Sequence, residues 1–181
     1  MLLPLHVLTI TLGDTEINNK NIVDSIEWFE KGKSLSRSGH YEDAIVVLNK
    51  AIELNPRNAE ALNGRGITHY YRQQYDKAID DYTKAIKMDP NLAKIYYNRG
   101  IAYTNKNQYD RAIEDFTEAI KLDSTFAFAY LNRGNVYLIQ QHHDKAIDDY
   151  TKVIELKPKM AEAFHTKARL DSPTKKAYIR L

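Results

Sequence analysis

An all-α solenoid of four stacked helix–turn–helix units is the fold class this sequence predicts, and three observations predict it. Gly32, Gly66, Gly100 and Gly134 follow one another at intervals of 34 residues. Tyr41, Tyr75, Tyr109 and His143 keep the same step, as do Ala44, Ala78, Ala112 and Ala146, and Ile45, Ile79, Ile113 and Ile147. Pro56, Pro90 and Pro158 hold the register, with Ser124 standing in the one place without a proline. A fixed period of this kind marks a repeat architecture, in which no unit buries its apolar face alone and neighbours must stack.

The units run over 25–58, 59–92, 93–126 and 127–160. In the second, Leu62, Arg65, Gly66 and His69 mark one helix face, and Ala78, Ile79, Tyr82, Ala85 and Ile86 mark the next. Spacings of three and four belong to an amphipathic helix, and the proline that follows ends it. Gly at the eighth place and Ala at the twentieth let backbones approach, and aromatic side chains fill the space between. Ahead of the array, residues 1–24 read as an apolar segment, Leu2 to Leu12, and a polar linker, Asp14 to Asn21. A secretory signal is disfavoured there: no Lys or Arg precedes the apolar stretch, Pro4 and His6 interrupt it, and no small-x-small cleavage site follows. It is also too short to span a bilayer as a helix. The expected state is a segment packed on the solenoid or partly disordered. After the array, Phe164 and Ala168 continue the register until Asp171, Ser172 and Pro173 break it. Residues 161–181 are therefore expected to form a capping helix and a tail carrying Lys175, Lys176 and Arg180.

These units resemble tetratricopeptide repeats, whose pattern is aromatic-x2-Leu-Gly-x2-Tyr, then Ala-x3-aromatic, then Pro. The pattern stands here as Trp28-x2-Lys31-Gly32-x2-Leu35 with Ala44-x3-Leu48 and Pro56. It returns as Tyr96-x2-Arg99-Gly100-x2-Tyr103 with Ala112-x3-Phe116, and as Tyr130-x2-Arg133-Gly134-x2-Tyr137 with Ala146-x3-Tyr150. The resemblance covers 25–158 and implies a right-handed α-solenoid of four repeats plus a C-terminal capping helix. One departure is consistent: the usual Leu before the Gly is Lys31, Arg65, Arg99 and Arg133, which leaves open what that position packs against.

Composition narrows the function. With 43% hydrophobic and 28% charged residues the chain reads as a soluble globular protein. Lys plus Arg number 26 against 24 Asp plus Glu, a balance that gives little reason to expect nucleic acid, since phosphate binding needs cations gathered on one face. There is no cysteine, hence no disulfide, thiolate nucleophile or Cys-based zinc site. The adjacent His142 and His143 fall in the turn of the fourth unit, where His143 replaces the recurring Tyr, and neighbouring side chains rarely chelate one ion. The acidic pairs Asp80/Asp81, Glu114/Asp115 and Asp148/Asp149 recur with the repeat and are expected on a solvated face, with Asp80–Lys84 and Asp148–Lys152 spaced for helical ion pairs. No phosphate loop, HExxH or GxSxG occurs. No enzyme, metal or cofactor is expected, a membrane partner is disfavoured, and the cytoplasm is the favoured compartment, with envelope or secretion kept open by the apolar N-terminus.

What remains is partner binding. On the first helix of each unit, positions 4, 7, 8 and 11 share the core direction, and positions 2, 5, 6, 9, 12 and 13 point away from it. In the family this second face lines a concave groove. The candidates there are Asn63, Ile67, Tyr70 and Tyr71 in the second unit, Lys94, Tyr97, Asn98, Ile101 and Asn105 in the third, and Phe128, Leu131, Asn132, Asn135 and Ile139 in the fourth. A face of aromatics and amides with few charges suits a protein or peptide partner, and part of it is expected to pack against the neighbouring unit. Asn98 and Asn132 share the sixth position, and their stacking resembles the asparagine ladder of O-linked N-acetylglucosamine transferases, which grips extended peptide backbones. The carboxylate clamp of chaperone-binding relatives is disfavoured: frames beginning at the three possible units give Phe29, Lys33, Gly64, Lys94 and Asn98; Asn63, Ile67, Asn98, Phe128 and Asn132; and Tyr97, Ile101, Asn132, Glu162 and Thr166, none with the three cations required. The expected role is a scaffold or adaptor that holds an extended peptide or helix of a partner; the alternative is a self-associating structural protein, and monomer and weak dimer both stay open. Val46 and Val47 replace the acidic pair in the first unit, and both are expected to be covered, by Leu2 to Leu12 or by a second subunit.

Overall fold

The computed structural model describes residues 12–159, with side chains from Asn19 onward. The apolar stretch before Leu12 and the expected capping helix and tail over 161–181 lie outside the described residues. Within them the chain forms eight α-helices and no strand: α1 (Leu12–Arg37), α2 (Tyr41–Leu54), α3 (Ala59–Tyr71), α4 (Tyr75–Met88), α5 (Ala93–Asn105), α6 (Tyr109–Leu122), α7 (Ala127–Ile139) and α8 (His143–Leu156). The polar stretch Asp14 to Asn21, expected as a linker, is part of α1. Three Asn residues tolerate helix there because helix propensity is a weak prior.

The turns inside the helix pairs repeat with the sequence. Gly39, Gln73, Asn107 and Gln141 all have positive φ, between 57° and 81°, each just after the first helix of its pair. The next residue's N–H reaches back to the last turn: His40 to the Leu35 carbonyl, Gln74 to His69, Gln108 to Tyr103 and His142 to Tyr137, at 2.8–3.0 Å. This is the left-handed helix stop that satisfies otherwise orphaned carbonyls. Only Gly39 takes that conformation without Cβ strain. The second helices end on extended residues, Asn55 and Asp89, each before a proline. Where Ser124 replaces the proline, Asp123 Oδ1 accepts from the Thr125 N–H (2.9 Å) and hydroxyl (2.7 Å) and holds the same turn by hydrogen bonding.

The helices gather into two compact units, Met1–Pro90 and Asn91–Leu181. In the first, α1 packs on α2, α3 on α4, and α3 also rests on α2; α1 approaches α3 more closely than α2 approaches α4. The second unit repeats the pattern, with α5 drawn nearer to α7 than α6 is to α8. Each unit is thus pinched on the side of its first helices. The core of the first unit holds Leu48, Leu62 and Tyr82, and that of the second holds Phe116, Ile95 and Val136. Phe116 lies directly on the α5 backbone: a Cβ added at Gly100 would stand 2.8 Å from its ring. A short network ties the first unit's loop to its core, with the Ser25 hydroxyl donating to the Ala51 carbonyl (2.8 Å) and accepting from Asn58 Nδ2 (3.1 Å), while Asn58 Oδ1 caps α3 through the Ala61 N–H.

Candidate functional site

In the first unit the pinched side encloses a cavity of about 500 Å³ between α1 and α3. Phe29, Lys33, Ser36 and Arg37 line it from α1, Tyr41 from the start of α2, and Glu60, Asn63, Gly64, Ile67 and Tyr71 from α3. The ring of Phe29 lies against Gly64, where an added Cβ would meet it at 3.1 Å, so the glycine is what lets the aromatic floor form. Tyr41 and Tyr71 stack with centroids 5.8 Å apart and planes 12° from parallel. Lys33 Nζ sits 5.0 Å from the Phe29 ring centre and also pairs with Glu30. The Ser36 and Thr68 hydroxyls, 3.0 Å apart, close the inner wall.

Of the expected partner-binding residues in this unit, Ile67 and Tyr71 line the cavity, Tyr71 with 57% of its surface exposed, and Asn63 is buried in its wall. Tyr70 stands beside them, its ring centred 5.9 Å from Tyr71 and 5.5 Å from Tyr75. Sequence reasoning passed over Phe29, Lys33, Ser36, Arg37 and Tyr41 as groove residues. The signal was available for four of them, since Phe29, Lys33, Ser36 and Arg37 fill positions 5, 9, 12 and 13 of the first unit. Tyr41 belongs to a second helix, and only its stacking on Tyr71 brings it to the site.

In the second unit the candidates divide. Phe128 and Ile139 are exposed, as are Lys94, Asn105 and Asn135; Leu131, Asn132 and Asn98 are half-buried. Tyr97 and Ile101 pack against the core cluster of Ala112, Phe116 and Val136, with the Tyr97 ring 4.8 Å from that of Phe126. Asn132 Nδ2 donates to the Phe128 carbonyl (2.9 Å) and to the Tyr97 hydroxyl (3.2 Å). Asn105 Nδ2 donates to the Ile101 carbonyl, and Asn135 Oδ1 accepts from the Tyr150 hydroxyl. One amide bond of Asn132 thus joins α7 to the Tyr97 hydroxyl of α5, and the other returns to its own helix.

The acidic pairs behave differently from expectation. Asp80, Glu114 and Asp148 are exposed, and Asp80 pairs with Lys84 at 2.6 Å; Lys152 pairs with Glu155, not Asp148. The second acid of each pair is buried. Asp81, Asp115 and Asp149 take bidentate bonds of 2.6–2.9 Å from Arg65, Arg99 and Arg133, the very residues that replace the family's Leu. Arg65 also donates to Asn49 Oδ1 and Arg133 to Thr117 Oγ1, each in the preceding helix pair. Arg99 lies 5.7 and 5.8 Å from the Tyr96 and Tyr103 rings, and Arg133 lies 5.7 and 5.9 Å from those of Tyr130 and Tyr137. A cation placed so gains from the ring faces while its fork satisfies a carboxylate. In the helix pair over 25–58 the buried acid is replaced by Val47, and Lys31 turns outward over Trp28 at 5.2 Å. Val47 is only 8% exposed, whereas Val46 is 69% exposed; the Leu2 to Leu12 segment expected to cover them lies outside the described residues, apart from Leu12.

His69 belongs to this buried layer. Its Nδ1 donates to Gln74 Oε1 at 2.8 Å, and its Nε2 lies 3.9 Å from Asp81 Oδ2. Burial pushes the imidazole pKa below its ordinary value, outweighing the Gln74 bond and the Asp81 charge, while the cations Arg65 and Lys77 push the same way as burial. The unfolded chain thus binds the proton more readily. The stability that neutral His69 contributes is complete above the unfolded value of 6.5 and is lost as the pH falls from there through the lower folded value. His69→Tyr, which installs the residue found at Tyr103 and Tyr137, is expected to flatten the fall in Tm between about pH 7 and 5. An unchanged slope would assign the titration to another group. Among the described residues, no three His, Asp or Glu side chains gather as metal ligands, and no helix is long and apolar enough to cross a membrane.

Comparison with known proteins bears on this arrangement. Family models described as tetratricopeptide repeat match residues 93–126 and 127–160, and those described as TPR repeat match 32–71 and 68–106. No curated protein sequence matches the chain. Among solved structures, a crystal structure of MamA is 26% identical over 90% of this chain and 99% of its own, with a TM-score of 0.71. A MamA fragment from Desulfovibrio magneticus RS-1 is 27% identical over 77% of this chain and 78% of its own, with a TM-score of 0.69. The second TPR of Spaghetti (RPAP3), bound to the HSP90 peptide SRMEEVD, is 29% identical over 56% of this chain and 95% of its own, with a TM-score of 0.55.

Proposed function

Because the chain belongs to the tetratricopeptide-repeat family, a fold that serves as a protein–protein interaction scaffold, we propose that it is an adaptor holding an extended peptide or a helix of a partner protein on the pinched side of its helix pairs. The observation that carries this reading is the aromatic-floored cavity between α1 and α3, with exposed Tyr71 at its rim. A large ring half out of water beside a concave apolar floor is the make-up of an interaction hot spot. Exposed Phe128 and Ile139 offer a second apolar surface on α7. The similarity to a TPR that holds a peptide supports the same assignment. The chemistry is recognition alone, and no residue is given a catalytic role.

A displayed peptide library panned on the whole chain tests the reading. Enriched peptides are expected to lose about 2 kcal/mol of binding, roughly thirty-fold in Kd, on Tyr71→Ala or Phe128→Ala. Tyr97 packs against Phe116, so its removal would confound binding with folding. No enriched peptide, or peptides indifferent to both substitutions, would reject the adaptor reading. In that event, mass rising with concentration would favour the self-associating alternative, for which exposed Val46 above an apolar hollow lined by Trp28 and Val47 provides a contact surface.

A further inference from the structure

The cavity between α1 and α3 has a charge pattern that the adaptor reading does not use. Its floor is apolar, made by Phe29, Ile67 and the flank of Tyr71, and its α1 rim carries two cations one helical turn apart, Lys33 and Arg37. Lys33 is shared with Glu30 across an exposed surface, a pairing worth little in water. Arg37 makes no ion pair among the described residues, although Glu60 lies on the opposite rim. An unengaged guanidinium at the mouth of an apolar hollow is a fork waiting for a carboxylate.

Resting on the adaptor reading, we propose that this cavity is an anchor pocket for an acidic peptide segment, taking one aliphatic or aromatic side chain whose neighbouring Asp or Glu pairs with Arg37, assisted by Lys33. The apolar side chain lies on Phe29 and Ile67 beside Tyr71, where burial removes it from water. The flanking carboxylate then lies at the α1 rim, and Glu60 repels peptides that present the acid toward α3. A nucleic acid fits poorly, since its phosphates would meet Glu60 and only two cations are at hand.

The test measures fluorescence anisotropy with three labelled peptides in a Ser-Gly frame, with cores Asp-Phe-Asp, Asn-Phe-Asn and Asp-Ser-Asp. The whole chain is expected to bind the first at least about ten-fold more tightly than either analogue, the loss expected for a charge-assisted bond. Arg37→Gln should erase the preference for Asp-Phe-Asp over Asn-Phe-Asn while leaving the melting curve in place, because Arg37 is exposed. Ile67→Ser should erase the preference for Phe over Ser. Asp148→Asn, at an exposed position of α8 outside the candidate surface, should alter neither. Equal affinity for Asp-Phe-Asp and Asn-Phe-Asn, or an Arg37→Gln protein that discriminates as before, would overturn the proposal. So would failure of all three probes to bind; library peptides that still depended on Tyr71 or Phe128 would then leave the adaptor reading standing without the acidic anchor.

Discussion

Arg99→Leu is expected to cost about 3–5 kcal/mol of folding stability, and adding Asp115→Val to recover most or all of it. The single change restores the residue usual in the family, so pattern alone would rate it harmless. Structure reverses that judgement, because Asp115 is only 5% exposed and receives both its charged bonds from Arg99. Burial pushes the Asp115 carboxyl above the ordinary carboxylate range even with the guanidinium opposing it. Without Arg99 the folded-state pKa rises further, so the penalty falls on the ionised form and is greatest at neutral pH. It shrinks as the pH falls toward the folded value. The pair itself is a poor source of net stability, since two desolvated charges roughly offset their attraction. The helix pair over 25–58 shows the apolar alternative in place, with Val47 buried where the acid would be and Lys31 turned out to Trp28. Urea unfolding of the two single variants and the double closes the cycle. A double variant as unstable as the two singles added together would show that the arginine's ring contacts, not its charge pairing, hold the site.

Phe116→Ala is expected to cost about 3–5 kcal/mol, and Gly100→Ala about 1–3 kcal/mol by forcing a methyl against the same ring. Together they should cost less than their sum. Phe116 is fully buried, its ring 2.8 Å from where a Gly100 Cβ would stand and 5.9 Å from the Tyr97 ring centre. Removing the ring leaves a void between α5 and α6 that the added methyl partly fills, so each substitution relieves the other. Denaturant midpoints of the four proteins measure the coupling. Strict additivity would mean that the two helices part instead of holding the void open.

The repeat, the helix pairs and the proline-ended second helices were legible in the sequence because local pattern and tertiary packing agree over Gly32 to Pro158. The charged layer was half legible. Arg65, Arg99 and Arg133 recur, and so do Asp81, Asp115 and Asp149, always 16 residues apart. A solvated face explains each column separately, and only the fold brings the two columns together across a helix pair. The linker reading of Asp14 to Asn21 failed for a related reason, since polar composition describes exposure and not conformation: Asn19 and Lys20 are exposed yet helical. At the candidate site, helical position points Tyr71, Phe128 and Ile139 away from the core, and all three are exposed. It could not reveal that Tyr97 bends into the core or that Asn132 turns its amide to Tyr97, because both depend on which neighbour lies within reach.

The arginines that reach into the preceding helix pair give the array a grammar. Arg65 bonds Asn49, and Arg133 bonds Thr117, so each of these pairs is tied to the one before it by a donor at a fixed place. A pair built like the one over 25–58 has Lys31 at that place, facing outward, and has no fork to extend backwards. Duplication of a pair that carries the arginine would lengthen the array without a loose joint. Duplication of the Lys31 pair into the interior would leave one joint without its bond, and recombination among these repeats is therefore not neutral to order.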